Sequence, residues 1–277
     1  MTSSFTATEN YLSLLLSLPK LPPQTVLSLF FLTLARLLPI VSLAPFLGGR
    51  IVPRPIRVLF SLALLALFLP PALLAVPKTL VFTIGSLSGY LLKELLIGLI
   101  LGFLSAIPFY IAEMGGSLID FQRGASSLQV SDPTAQVQTG PIGLLNNFFL
   151  IALFYVLGGP FLYFEGIADS YRLFPSIGPS FFELNSPFWP QVMELAALMF
   201  RIAVQLSAPA LIGILCTDLF LGIANRLAPQ VQITFLGVAL KSWVGIAIMA
   251  AAWMLMVKMM AGEAMQWFET LRTLTSS

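Results

Sequence analysis

The chain of 277 residues has no histidine, one cysteine and few charges: Lys and Arg number 14, Asp and Glu 12. Without histidine the usual Ser–His–acid triad cannot be assembled. A Ser–Lys arrangement of Ser126 or Ser127 with Lys241 is the alternative that remains for nucleophilic hydrolysis, and the chain is not expected to be an enzyme. One cysteine excludes an internal disulfide, and the lack of histidine removes the Cys/His metal centres, so neither a metal nor a cofactor is expected. Cys216 lies within the apolar stretch 211–221, where a free cysteine is a small packing residue. The net charge is only +2 and no run of Lys or Arg forms an electrostatic footprint, which argues against nucleic acid as a partner. The first twenty residues lack a basic segment and an Ala-x-Ala-like cleavage site, so a removable signal is not expected.

What the chain has instead is apolar length. Hydrophobic residues make up 58% and charged residues 9%, against about 45–50% and about 25% in soluble domains. Six apolar blocks stand out, at residues 25–48, 58–77, 80–112, 142–165, 192–224 and 231–260. Each reaches the roughly 20 residues that a helix needs to cross a bilayer. Two of them are too long. As a helix, 80–112 would run to about 50 Å at 1.5 Å per residue, and it contains Lys93-Glu94. It must break at the charged pair or project beyond the bilayer. Block 192–224 has the same excess and carries Arg201, Gln205, Pro209 and Asp218.

Simple lipid-facing spans therefore fit badly. Pro39, Pro45, Pro70, Pro71, Pro108, Pro160 and Pro209 fall within apolar blocks, and the carbonyls they free cannot be satisfied by hydrocarbon. Arg36, Arg201 and Lys241 lie near the middles of theirs, where a charge costs about 2.5 to 3.5 kcal/mol on insertion scales. Snorkelling to an interface is the competing account. Asp218 is expected to neutralise one of the three. Loop charges do not orient the chain either: with one crossing per block, Arg50, Arg54, Arg57, Arg123 and Arg226 fall on one side, and Lys20, Lys78, Arg172, Lys258 and Arg272 on the other.

Two polar constellations interrupt this pattern. In the first, SLIDFQRGASSLQVSDP at 117–133, a helical spacing places Glu113, Gly116, Asp120, Arg123, Gly124 and Ser127 on one strip and Met114, Leu118, Phe121, Ala125 and Leu128 on another. Asp120 and Arg123 are an i, i+3 pair, worth a few tenths of a kcal/mol if exposed. Pro133 ends the helical tendency, TAQVQTGP forms a polar loop, and Pro141 restarts the apolar pattern. The segment is either a solvated connecting hairpin or a loop facing a water-filled path. The glycines allow another helix to approach closely. In the second constellation, DLFLGIANRLAPQVQ, Asp218, Gly222, Asn225 and Arg226 share a helical face before Pro229.

GGSLIDFQRGASSLQVSDP, followed by LFLGIANRLAPQVQITFLGVALKS and preceded by LARLLPIVSLAPFLGGRIVPRPIRV, resembles the T component of the type III secretion export apparatus, the SctT family with its flagellar counterpart FliR. The resemblance covers nearly the whole chain, failing at about the first twenty and last fifteen residues. The Ile-Asp-x-Gln-Arg-Gly form and Lys241-Ser242 lean toward the secretion branch, with the flagellar branch as the alternative and a small-solute secondary transporter as the rival from another class. No repeat between the chain's halves supports a transporter.

The resemblance implies an all-α, polytopic, membrane-type fold with broken and overlong helices, assembled in a helical multi-subunit export gate. A single domain over 1–277 is expected, with an N-terminal segment at 1–24, an amphipathic helix and plug loop at 113–141 and a C-terminal tail at 261–277. Partners would be the R and S subunits and the U component, with unfolded secretion substrates in transit, at a bacterial inner membrane and protruding toward the periplasm. By position, the pore plug falls on Val130, Ser131, Asp132, Pro133, Thr134, Ala135, Gln136, Val137, Gln138, Thr139, Gly140 and Pro141. Glu113, Gly116, Asp120, Arg123 and Gly124 would form a polar packing strip, with Gly116 and Gly124 facing neighbouring subunits. Arg36, Arg201, Asp218, Arg226 and Lys241 would be buried structural charges.

Overall fold

A computed structural model describes residues 22–48, 52–74, 84–124, 140–177, 188–227 and 233–276. Among these the regular elements are seven α-helices and one short 3-10 turn, with no strand. The helices are α1 (Pro23–Leu43), α2 (Arg54–Leu74), α3 (Ile84–Gln122), α4 (Pro141–Val156), α5 (Gly159–Leu173), α6 (Phe188–Leu227) and α7 (Ile233–Ser276). Four helices among the described residues are long and apolar enough to cross a membrane, and α4 with α5 adds a fifth if the broken pair counts as one span. The protein is an all-α polytopic membrane protein.

The chain divides into two compact units. Unit 1 comprises residues 1–106, 160–186 and 268–277, and unit 2 comprises 107–159 and 187–267.

In unit 1, Pro23 starts α1 at a position whose N–H has no helical partner anyway. Ala44 ends it with an extended backbone because Pro45 follows. Leu29, Leu32, Leu37, Ile40 and Val41 form its buried face. Gly98 and Gly102 of α3 lie against this helix's backbone: a Cβ at Gly98 would strike the Arg36 carbonyl, and one at Gly102 would come within 3.1 Å of Ile40 Cα. An aromatic group closes the same unit, with the Phe46 and Tyr163 rings 4.8 Å apart and Phe268 6.1 Å from Tyr163, all edge to face. In unit 2, Phe109 and Phe154 make the equivalent contact at 5.5 Å.

The structure decides between the two accounts of the overlong blocks. Helix α3 runs for 39 residues straight through Lys93-Glu94, about 58 Å at 1.5 Å per residue. Helices α6 and α7 run for 40 and 44 residues. No break occurs at Lys93-Glu94 because both charges find partners within unit 1, described below. Block 142–165 does break, at Leu157-Gly158, where Gly158 takes φ +76°. The segment at 261–277, read as a tail, is helical through Ser276 as the end of α7, with Trp267 and Phe268 buried.

Candidate functional site

Charged groups buried in an apolar chain mark where sequence and function constrain each other most, and each unit contains one such cluster.

In unit 1, Arg36 is fully buried. Its Nε donates to Glu94 Oε2 at 2.5 Å and its Nη2 to Glu94 Oε1 at 2.8 Å, the two-pronged match of guanidinium to carboxylate. Its remaining donors go to the end of α5: Nη1 reaches the Ser170 carbonyl at 3.0 Å and Ser170 Oγ at 3.3 Å, and Nη2 the Phe174 carbonyl at 2.5 Å. The guanidinium also lies 4.1 Å from the centre of the Tyr171 ring. Lys93 Nζ donates to the Pro175 carbonyl at 2.8 Å. Two cations thus cover carbonyls at and just beyond the C-terminus of α5, where the partial charge is negative.

In unit 2 the arrangement is reversed. Asp120 Oδ1 accepts from Arg123 Nε at 3.0 Å and Nη2 at 2.6 Å. Asp120 Oδ2 accepts the backbone N–H of Ile142 at 2.8 Å and of Gly143 at 3.3 Å. Residue 140 is the N-cap of α4, and as glycine it has no side chain to cap with. Asp120 performs that task from another helix. Gly140 is required there, since a Cβ would fall on the Asp120 carboxylate.

The rest of the strip lies against α4 of the same chain. Glu113 Oε2 accepts from Asn147 Nδ2 at 3.0 Å, and the Ala112 carbonyl from Asn146 Nδ2 at 3.4 Å. A Cβ on Gly116 would come within 2.6 Å of Gly143 Cα and N. Gly116 is therefore a close-packing position against Gly143 of this chain. Gly124 follows the end of α3 with φ +82°, and among the described residues an added Cβ would meet nothing nearer than a Val238 methyl at 3.8 Å.

Of the remaining charges, Lys241 forms an ion pair with Asp218, both partly exposed. This is the neutralisation expected of Asp218. Arg201 and Arg226 are exposed on this chain and not buried, since α6 presents that face to no other described helix. Val130 to Thr139 of the plug stretch lie outside the described residues, as do Ser126, Ser127 and Pro229. Gly140 and Pro141 are the N-cap and first residue of α4. Sequence reasoning missed Glu94 as the partner of Arg36, and with it Ser170 and Tyr171. The available signal was charge balance: an apolar run with one arginine and another with one glutamate invite pairing. Nothing local says that residues 58 apart will meet.

The fold and its polar anchors define a polytopic helical membrane protein. The chain belongs to the family described as bacterial export proteins, family 1, which matches residues 27–267. It is the family to which the sequence resemblance points. Among curated relatives, the chain is 30% identical over 225 residues to the flagellar biosynthetic protein FliR of Escherichia coli (strain K12), covering 81% of this chain and 84% of that protein. It is 35% identical over 182 residues to the Yop proteins translocation protein T of Yersinia pestis, covering 64% and 67%. It is 29% identical over 222 residues to the surface presentation of antigens protein SpaR of Shigella flexneri, covering 77% and 80%.

Proposed function

We propose that this chain is a non-enzymatic subunit of a type III export gate, forming with R and S subunits, and contacting the U component, an inner-membrane portal for unfolded export substrates that protrudes toward the periplasm. The relatives include both secretion and flagellar proteins, and an export portal would serve either. The observation that carries the reading is the Asp120 anchor. One buried carboxylate, held by Arg123, ties the end of α3 to the start of α4 at Ile142 and Gly143, so the stretch Val130 to Pro141 springs from a fixed base. Ser131, Thr134, Gln136, Gln138 and Thr139 are uncharged and polar. They suit a plug that fills a wet pore yet makes no contact strong enough to resist a passing chain. In the assembly, neighbouring helices would cover Arg201 and Arg226 and the apolar faces of α6 and α7.

Deleting residues 133–139, which lie beyond the Asp120 anchor, should leave assembly intact and make the closed complex leak ions, measured as membrane conductance. A correctly assembled deletion complex with unchanged conductance would refute the plug assignment.

A further inference from the structure

Unit 1 holds more buried positive charge than negative. Arg36 and Lys93 are 0% and 8% exposed, and Glu94 is the one buried carboxylate among the described residues of that unit. The carbonyls at the end of α5 offset part of the surplus, about half an elementary charge for a helix terminus. Arg36 spends its donors on Glu94, Ser170 and Phe174. Lys93 does not: among the described residues its ammonium has one acceptor, the Pro175 carbonyl, which leaves two of its three N–H groups. Beside this cluster are two buried hydroxyls with no hydrogen-bond partner among the described residues, Ser176 Oγ and Tyr171 OH. Ser176 directly follows the residue that holds Lys93, and the Tyr171 ring lies against the Arg36 guanidinium. Unpaired buried hydroxyls are costly and call for an explanation.

Lys93 is buried, but the helix face that leads to it is open. Gly85, Gly89 and Lys93 are spaced i, i+4, i+8 and share one face of α3. Among the described residues, a Cβ at Gly85 or Gly89 would meet no atom within 4 Å. Leu92 and Leu95, further along the helix, are 61% and 42% exposed, on a helix apolar enough to span a membrane.

We propose that this corner of unit 1 binds a phosphate oxyanion carried by an anionic phospholipid headgroup, with Lys93 supplying the charge, Ser176 and Tyr171 further donors, and the Gly85-Gly89 face the slot for the rest of the lipid. Phosphate fits better than carboxylate because its several oxygens can receive an ammonium and two hydroxyls from different directions. The exposed leucines offer acyl chains an apolar surface beside it.

The test uses the full-length chain purified in neutral detergent and reads its thermal-unfolding midpoint against added phosphatidylglycerol, phosphatidylcholine or inorganic phosphate. Phosphatidylglycerol should raise the midpoint, and the concentration for half the effect should rise about tenfold in Lys93→Gln, the loss of a charge-assisted hydrogen bond. Gly89→Leu, which fills the slot without touching the charges, should weaken the lipid effect similarly and leave any effect of inorganic phosphate unchanged. Protection by inorganic phosphate that Lys93→Gln abolishes supports the oxyanion site and assigns its source to solution as well as lipid. Equal protection by phosphatidylcholine, or protection that survives Lys93→Gln, overturns the proposal. If Lys93→Gln does not fold, an unchanged lipid response in Gly89→Leu overturns it. No shift with either lipid or phosphate also overturns it, as it must if a carboxylate from a neighbouring chain occupies the site.

Discussion

The charge clusters of the two units solve the same problem with opposite signs. In unit 1 a cation, Arg36, sits on the carbonyls at the end of α5, and a carboxylate, Glu94, neutralises it. In unit 2 a carboxylate, Asp120, sits on the N–H groups at the start of α4, and an arginine, Arg123, neutralises it. The sign in each case is the one that the helix end demands, since unpaired N–H groups carry partial positive charge and unpaired carbonyls partial negative charge. Helices α4 and α5 follow one another in the chain on either side of Gly158, and the two clusters cap the ends away from that glycine, the start of α4 and the end of α5. A helix end in apolar surroundings exposes backbone groups that lipid cannot satisfy. Buried ion pairs replace water as the partner of those ends.

The comparison is sharpest at Arg36. Removing it strands Glu94, which is 0% exposed, and takes a charged donor from the Ser170 and Phe174 carbonyls. Breaking a buried pair by deleting one partner costs about 3 to 5 kcal/mol, so Arg36→Leu should be the most damaging single change, read as the thermal-unfolding midpoint of the purified chain. Arg36→Lys should rescue little, because an ammonium cannot span Glu94 and the α5 carbonyls together. Arg36→Leu with Glu94→Leu should recover part of the loss. If the single variant were as stable as the parent, the cluster would not be holding the end of α5.

The mirror-image change in unit 2 should be milder. Arg123 lies at the end of α3, beside exposed Phe121, and can turn outward when its partner is lost. Asp120→Ala, which removes both the ion pair and the remote cap, should cost about 2 to 3 kcal/mol. Asp120→Asn keeps an acceptor for the Ile142 N–H and should cost about half as much. Equal losses for Ala and Asn would mean that the charge matters and the cap does not, and would break the parallel between the units.

These two clusters also show what a sequence makes legible. Asp120 and Arg123 are three residues apart, so helical periodicity alone puts them together. Arg36 meets Glu94 across 58 residues and Ser170 across 134, and no local pattern encodes such an encounter. The same holds for the fold. Apolar length located the helices, but it left open whether Lys93-Glu94 would break α3, because the answer depended on partners from α1 and the end of α5. The polar strip at 113–124 was readable as a face, yet what it faces was not: Gly116 meets Gly143 of this chain. At Gly124, helical spacing could not announce the positive φ that follows the end of α3. The pairing of Asp218 with one of three cations was expected, and only packing could name Lys241.

Gly116 tests how much of unit 2 depends on the approach of α3 to α4. A Cβ there would press on the Gly143 backbone, which cannot move aside as a side chain could. Gly116→Leu should therefore destabilise the isolated chain by about 1 to 3 kcal/mol, the usual range for overpacking, and weaken the Asp120 cap beside it. An isolated chain of unchanged midpoint that fails only when combined with its partners would return Gly116 to a subunit interface.

The smallest effect is expected at Lys241 and Asp218, the ion pair that pins no helix end. Both side chains are partly exposed, at 25% and 34%, so water or headgroups can take over when one is lost. Lys241→Ala and Asp218→Ala should each change the midpoint only slightly, and a double-mutant cycle should give a coupling of at most about 1 kcal/mol, as for other exposed pairs. A coupling as large as that between Arg36 and Glu94 would show that this pair is sealed from solvent in the assembled protein. Since the chain itself leaves it open, another subunit would have to provide the cover, and repeating the cycle on the isolated chain and on the intact complex would separate the two contributions.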